Sequence, residues 1–321
     1  MFFGSGADVC QSNQQAGSTK SLSGSFCYLS LFMDKIRIIG VPEHFNFPWL
    51  KVVEAQPFKT QNVLLEWADE PKGSGAMNKA LREGVADVAV ILTESFIKDR
   101  IEGNPGQIIG YHVQSPLIWG IHLSSQYADW RLEELSDVPF AISRYGSGSH
   151  LMAFLLAQQM GWDTHKLRFE LVGDLAGAKA ALAHPEPKIF LWEKFMTKPL
   201  VDQGLFSRLG EIPTPWPCFV VVASPNAIDR HPEVLRQLRD LVYSTSSNLV
   251  ESSGLPILLS QKYGIMEEDI QAWLSQTQWA RQSVVSIETL RGTMNTLKSL
   301  GLIKEAVPAE DLVDTDFVEL I

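Results

Sequence analysis

Residues 143–152, Ser-Arg-Tyr-Gly-Ser-Gly-Ser-His-Leu-Met, gather side chains suited to gripping a polar ligand without covalent chemistry. Arg144 carries a fixed cation whose forked donors match a carboxylate or phosphate. Ser143, Ser147 and Ser149 supply hydroxyls, while Gly146 and Gly148 let backbone N–H groups come close to a partner. A helix starting here would add unpaired N–H donors with a partial positive charge. Taken alone, the stretch reads equally well as a capped helix after a flexible turn.

Such a cradle needs a strand to deliver it and a helix to hold it. The apolar run 138–142 predicts a strand and residues 151–160 predict a helix, so the stretch is a strand-to-helix turn. The chain before it has a similar pattern. A strand over 36–40 leads into 41–49, where Pro42 and Pro48 argue against a helix and His44, Phe45, Phe47 and Trp49 bring rings beside Glu43 and Asn46. A strand over 64–67 follows, then Gly73-Ser74-Gly75, a helix over 76–82 and a strand over 88–92 ending in Thr93-Glu94-Ser95.

After the opening stretch come a strand over 169–174, a helix around Gly177 and a strand over 188–193 ending in Trp192-Glu193. Residues 64–94 and 170–193 share an order of strand, acidic turn, glycine, Ala-Leu helix, apolar strand and terminal glutamate. Two similar α/β units suggest two similar lobes facing each other. Apolar strands over 108–123 and 218–223, the second preceded by a rigid proline-set linker over 211–217, suit crossovers between them. Helices over 232–252, 266–279 and 287–300 complete the chain, with Trp273 and Trp279 as core residues. Trp119, Trp192 and Trp216 would offer stacking faces, and Ser74, Thr93, Ser147 and Ser149 hydrogen bonds, to a small molecule of mixed polarity.

A formal charge of −10 and no clustered Lys or Arg argue against a nucleic-acid partner. The three cysteines, Cys10, Cys27 and Cys218, form no C-x-x-C pair and no zinc spacing, and Cys218 sits in an apolar run as a core residue. Leu151 stands where a dinucleotide fingerprint needs its third glycine, and no P-loop, G-x-S-x-G or H-E-x-x-H occurs. No cofactor or metal is therefore expected, and no apolar run is long enough to span a bilayer. Residues 1–33 are rich in Ser, Gly and Gln and nearly uncharged, and are expected to be a disordered leader or the product of a mis-assigned start.

In combination, six short motifs carry a family resemblance. They are Gly-Ser-Gly-Ala-Met at 73–77, Ala-Asp-Val-Ala-Val-Ile-Leu-Thr-Glu at 86–94, Gln-Ser-Pro-Leu-Ile-Trp-Gly at 114–120, Ser-Arg-Tyr-Gly-Ser-Gly-Ser-His at 143–150, Phe-Leu-Trp-Glu-Lys-Phe at 190–195 and Pro-Thr-Pro-Trp-Pro-Cys-Phe at 213–219. From residue 34 onward the chain resembles a periplasmic-binding-protein-like family. That family is related to the nitrate, sulfonate and thiamine-precursor binding proteins of ABC transporters, and the likeness is to a branch in fungi and bacteria with no assigned ligand.

The resemblance implies an α/β, two-lobed type II periplasmic-binding-protein-like fold with two hinge crossovers, near 115–122 and 213–221. Lobe 1 would take residues 34–118 and 220–321, and lobe 2 residues 119–219. It implies a cleft lined by Glu43, His44, Phe45, Asn46 and Trp49, by Gly73, Ser74 and Gly75, and by Thr93 and Glu94. Trp119, then Arg144, Tyr145, Gly146, Ser147, Gly148 and Ser149, and finally Trp192 and Glu193, complete the lining. The implied function is non-enzymatic binding of a small anionic or heteroaromatic metabolite, with an ABC transporter permease as partner if the chain is exported. Without a secretion signal or lipobox cysteine the expected location is cytoplasmic, the alternative being exported or periplasmic. The alternative function is a thiamine pyrimidine synthase acting in the same cleft, although the cysteine cluster that marks those enzymes is absent here.

Overall fold

The computed structural model describes residues 33–321, so the expectation of a leader falls, except for Met33, outside the described residues. In chain order the elements are β1 (Asp34–Gly40), α1 (Phe47–Ala55), β2 (Val63–Asp69), α2 (Ser74–Arg82), β3 (Val88–Leu92), α3 (Thr93–Ile101) and β4 (Gln107–Val113). Next come β5 (Ile118–Ser124), β6 (Phe140–Ile142), α4 (Gly148–Gln159), β7 (Phe169–Leu171), α5 (Leu175–Leu182), β8 (Ile189–Glu193), α6 (Lys198–Asp202), β9 (Phe206–Pro213) and β10 (Phe219–Ala223). The chain closes with α7 (Pro225–Arg230), α8 (Pro232–Val250), α9 (Leu255–Tyr263), α10 (Glu267–Gln276) and α11 (Ile287–Ser299), and a small sheet of β11 (Val284–Val285) with β12 (Glu319–Leu320).

Two five-stranded sheets carry the architecture, in the orders β2-β1-β3-β10-β4 and β7-β6-β8-β5-β9. In the first, β1 lies parallel between β2 and β3, and β10 runs antiparallel to β3 and β4. In the second, β6 lies parallel between β7 and β8, and β5 runs antiparallel to β8 and β9. One plan is therefore used twice, and β2-α2-β3 corresponds to β7-α5-β8, the two segments whose sequences are alike. The fold is the two-lobed α/β arrangement that the sequence implied.

Position in the sheet explains the composition of the strands. Every residue of β3 and of β10 is buried, as expected of central strands covered on both faces, whereas the edge strands β2 and β7 keep exposed positions. Each fully buried Ile, Leu or Val in them contributes about 1.5–3 kcal/mol relative to exposure. The C-terminal helices supply much of the rest of the core: Trp273 and Trp279 are both buried, and the Trp279 indole N–H donates to the Phe45 carbonyl at 2.9 Å.

The chain passes between the sheets over 114–117 and again over 214–218, and these segments are tied together. Leu117 N donates to Thr214 Oγ1 and Thr214 N to the Leu117 carbonyl, each at 3.0 Å, and Cys218 N donates to the Ser115 carbonyl at 3.1 Å.

Local structure departs from the sequence expectation in four places. Residues 44–49 are helical, a 3-10 turn at His44–Asn46 running into α1, because Pro48 occupies the first turn, where its missing N–H costs nothing. Residues 93–95 are the first turn of α3 rather than a loop. Strand β9 runs through the front half of the expected linker, and α9, with Pro256 in its first turn, lacks a marked apolar stripe. Among the described residues, no helix is long and apolar enough to cross a membrane.

Candidate functional site

Parallel β-strands open a crevice beyond their carboxyl ends, where the backbone turns into helices. Here two such sets of ends meet. Val41 follows β1, Leu92 ends β3, Ser143 follows β6 and Glu193 ends β8, and all four line one narrow cavity of ≈ 50 Å³. Leu117 from the first crossover, Phe219 at the start of β10, Trp119, Trp192 and the starts of α2 and α4 complete the lining. A second chamber of ≈ 230 Å³ shares Val41, Glu43, Gly73 and Trp192 with the first and adds Pro42, Pro71, Leu175 and Met196.

The α4 turn is built as a cap before it is anything else. Ser147 Oγ accepts from His150 N at 3.3 Å, Ser143 N donates to Ser149 Oγ at 3.0 Å, and the Ser147 and Ser149 hydroxyls lie 3.0 Å apart. Gly146 takes φ 77°, a left-handed conformation that a side chain would strain. Gly148 is needed for space: a Cβ there would fall 2.7 Å from Leu92 Cδ1 and 3.0 Å from Trp119 Cη2.

Arg144 reaches across to the other sheet, where Nη1 donates to the Lys72 carbonyl, and its guanidinium lies over Gly75, whose Cβ would sit 2.5 Å from Nε. Nη2 is buried without a protein partner, and desolvation lowers the guanidinium's pKa. Opposite charge sits nearby. Glu43 and Glu193 are 8% and 3% exposed and both line the cavity. Burial pushes the Glu43 carboxyl up to about 7, with no side-chain hydrogen bond to offset it among the described residues. Glu193 is pushed up to about 8 by burial and by the charge of Glu43, although Oε2 accepts from Phe195 N at 2.9 Å and Met196 N at 2.7 Å.

The cavity brings together eleven of the residues singled out in the sequence: Glu43, Gly73, Ser74, Trp119, Ser143, Arg144, Ser147, Gly148, Ser149, Trp192 and Glu193. The others lie elsewhere. Phe45 and Trp49 are core residues, and the Trp49 indole N–H donates to His112 Nδ1 at 3.3 Å. His44 is fully buried against Phe45, Tyr263 and Trp273, with burial pushing its imidazole down to about 3. Asn46 ties Nδ2 to the Val41 carbonyl at 2.7 Å. The helical turn that the proline argument missed is what rotates these four inward.

Thr93 Oγ1 donates to the Pro217 carbonyl at 2.6 Å and Glu94 Oε2 accepts from the Trp216 indole N–H at 2.7 Å; neither residue lines this cavity, and Glu94 lines a smaller adjoining pocket instead. Trp216 is thus a buried donor to Glu94 rather than a stacking face on this cavity. Tyr145 is 63% exposed, Gly146 lines a smaller adjoining pocket, and Gly75 makes room for Arg144. Val41, Lys72, Leu92, Leu117 and Phe219 line the cavity without having been singled out. Leu92, Leu117 and Phe219 lie inside the quoted motifs, Lys72 is next to one and Val41 follows the end of β1, which was the available signal.

The paired sheets of 2-1-3 parallel strands, each finished by antiparallel strands, with a cavity at facing strand ends, define the two-lobed periplasmic-binding-protein fold. Solved structures share it. The Candida albicans CA3427 gene product, which defines a family with the generic periplasmic binding protein fold, is 24% identical with a TM-score of 0.78, covering 87% of this chain and 96% of its own. The alkanesulfonate-binding protein SsuA of Xanthomonas axonopodis pv. citri, bound to MOPS, gives 14% and 0.72 over 89% and 98%. The nitrate-binding protein NrtA of Synechocystis PCC 6803 gives 14% and 0.64 over 88% and 86%. Within the fold, residues 119–212 match the family model described as Ca3427-like PBP. None of the curated proteins matches this sequence.

Proposed function

We propose that the protein is a solute-binding protein that closes two lobes, residues 34–118 with 220–321 and residues 119–219, on one small molecule. One observation carries the reading: strand ends of both sheets line one cavity that also holds Trp119, Trp192 and charged groups from either side. Such a wall suits a compact anionic or heteroaromatic metabolite, apolar on its faces and polar at its edges. The paired crossover segments would be the hinge, and closure would couple binding to motion of the lobes. Alkanesulfonate and nitrate, named for two proteins of the same fold, are the first anions to try. If the chain is exported, an ABC permease is the partner that would take the solute from it.

Thermal shift of the protein against sulfonates, nitrate, small carboxylates and amino-heterocycles tests this. Binding at about 100 times Kd adds about 2.7 kcal/mol to stability and should raise Tm by a few degrees. A panel in which no compound moves Tm would remove the support for a binding role.

A further inference from the structure

The cavity's polar groups are unevenly satisfied. The Glu43 side chain is more than nine-tenths buried and its carboxyl accepts no hydrogen bond from the described residues, and the Glu193 carboxyl is held by two backbone donors on one oxygen alone. Two acids in one apolar-walled cavity repel each other and lose hydration, which is costly unless donors or a cation answer them. Among the described residues Arg144 makes no hydrogen bond or ion pair to either carboxyl, its Nη1 going to the Lys72 carbonyl, and Lys194, beside Glu193, pairs with Glu211 at 3.0 Å. A second feature of the same wall points to a ligand. Trp119 Nε1 and Arg144 Nη2 are both buried donors without protein partners, and Trp119 is only 5% exposed.

Resting on the solute-binding reading above, we infer that Glu43 and Glu193 receive a protonated nitrogen group, so that the solute is a flat organic cation of the amidinium or protonated amino-heterocycle class. At least two N–H donors on a conjugated frame would meet the acid pair edge-on while the face of Trp192 takes the ring, a contact strengthened by cation–π attraction. An oxygen or ring nitrogen elsewhere on the same solute would answer Trp119 Nε1 and Arg144 Nη2. A free nitrate or simple sulfonate would instead place its negative charge beside two buried carboxyls. Burial holds both acids above the usual carboxylate range, which shows how poorly the protein alone stabilises their charge.

Calorimetric titration of the whole protein distinguishes these cases with matched probes: acetamidine and benzamidine as cations, acetamide and benzamide as neutral isosteres, methanesulfonate and benzenesulfonate as anions. The inference expects an amidine to bind about tenfold or more tighter than its amide and its sulfonate, and Glu43→Gln and Glu193→Gln each to lose about tenfold or more of that affinity. Both variants keep the side-chain shape, and a native circular dichroism spectrum with Tm no lower than that of the unsubstituted protein shows that lost affinity is not lost folding. Tighter binding of the sulfonates would overturn the cation assignment while leaving the solute-binding reading standing, as would amidine affinity unchanged in both variants. Failure of all six probes at millimolar concentration would overturn both.

Discussion

Glu94 and Trp216 show how buried groups outside the cavity depend on single partners. Glu94 is fully buried and held up to about 7 by burial, with the Trp216 indole as the side-chain donor to Oε2 and no protein partner on Oε1. Trp216→Phe keeps most of the ring but removes that donor, so it should cost about 1–3 kcal/mol in urea unfolding. Unchanged stability would mean that the indole N–H contributes nothing net. Gly148→Ala makes a different demand, because Leu92 and the Trp119 ring must both give way. It should cost about 1–3 kcal/mol, as overpacking does, and shift the tryptophan emission. At this scale the sequence exposed residue types but not their directions. Gly-Ser-Gly-Ser marked a turn that lines the cavity, while His44, Phe45 and Trp49 looked like a ring cluster for a ligand and turn inward, because a 3-10 turn before Pro48 sets which way each side chain points.

The crossovers and the cleft mouth are the elements on which closure would depend. Thr214 Oγ1 accepts from Leu117 N at 3.0 Å and donates to the Trp216 carbonyl at 2.9 Å, holding one crossover against the other. Across the mouth, Arg144 meets the Lys72 carbonyl and Lys198 meets Asp269 at 3.5 Å. If these contacts hold the lobes together, Arg144→Ala combined with Lys198→Ala should enlarge the radius of gyration of the ligand-free protein in small-angle scattering, and saturating solute should reverse the change. An unchanged radius would mean that the two contacts do not hold the mouth. The periodic elements were legible: the apolar runs of β3 and β10 and the stripe of α8 declare themselves. Strand β9 was not, since Gly210, Pro213 and only scattered burial hide its alternation, and its pairing with β5 is a long-range fact.

For the whole molecule, opposed buried titrations set the pH dependence of stability. The carboxyls of Glu43, Glu94 and Glu193 sit at about 7, 7 and 8 against an unfolded value of 4.5, so the folded chain holds protons that the unfolded chain releases, and stability falls as pH rises through that window. Burial pushes His44, His112, His122 and His150 the other way, to about 3 or 4 from 6.5, so stability falls as pH drops below 6.5. Between 4.5 and 6.5 the two sets nearly cancel. Chemical unfolding should therefore find maximum stability near pH 6 and a decline toward pH 8 that Glu43→Gln with Glu193→Gln flattens. A profile still rising to pH 8 would contradict the raised carboxyls.

The two-lobed plan could be read early because β2-α2-β3 and β7-α5-β8 repeat one pattern in the sequence, whereas the insertion of β10 and β5 into opposite sheets depends on where strands pair. The central claim is that one solute is gripped by both lobes at once. Hydrogen exchange of the protein with and without the tightest binder from the thermal-shift panel addresses it. The account predicts slowed exchange at residues 73–74 on one side and at both 147–149 and 195–196 on the other, in the same complex. Protection confined to one side, or appearing instead at the groove between Tyr243 and Arg281, would contradict it.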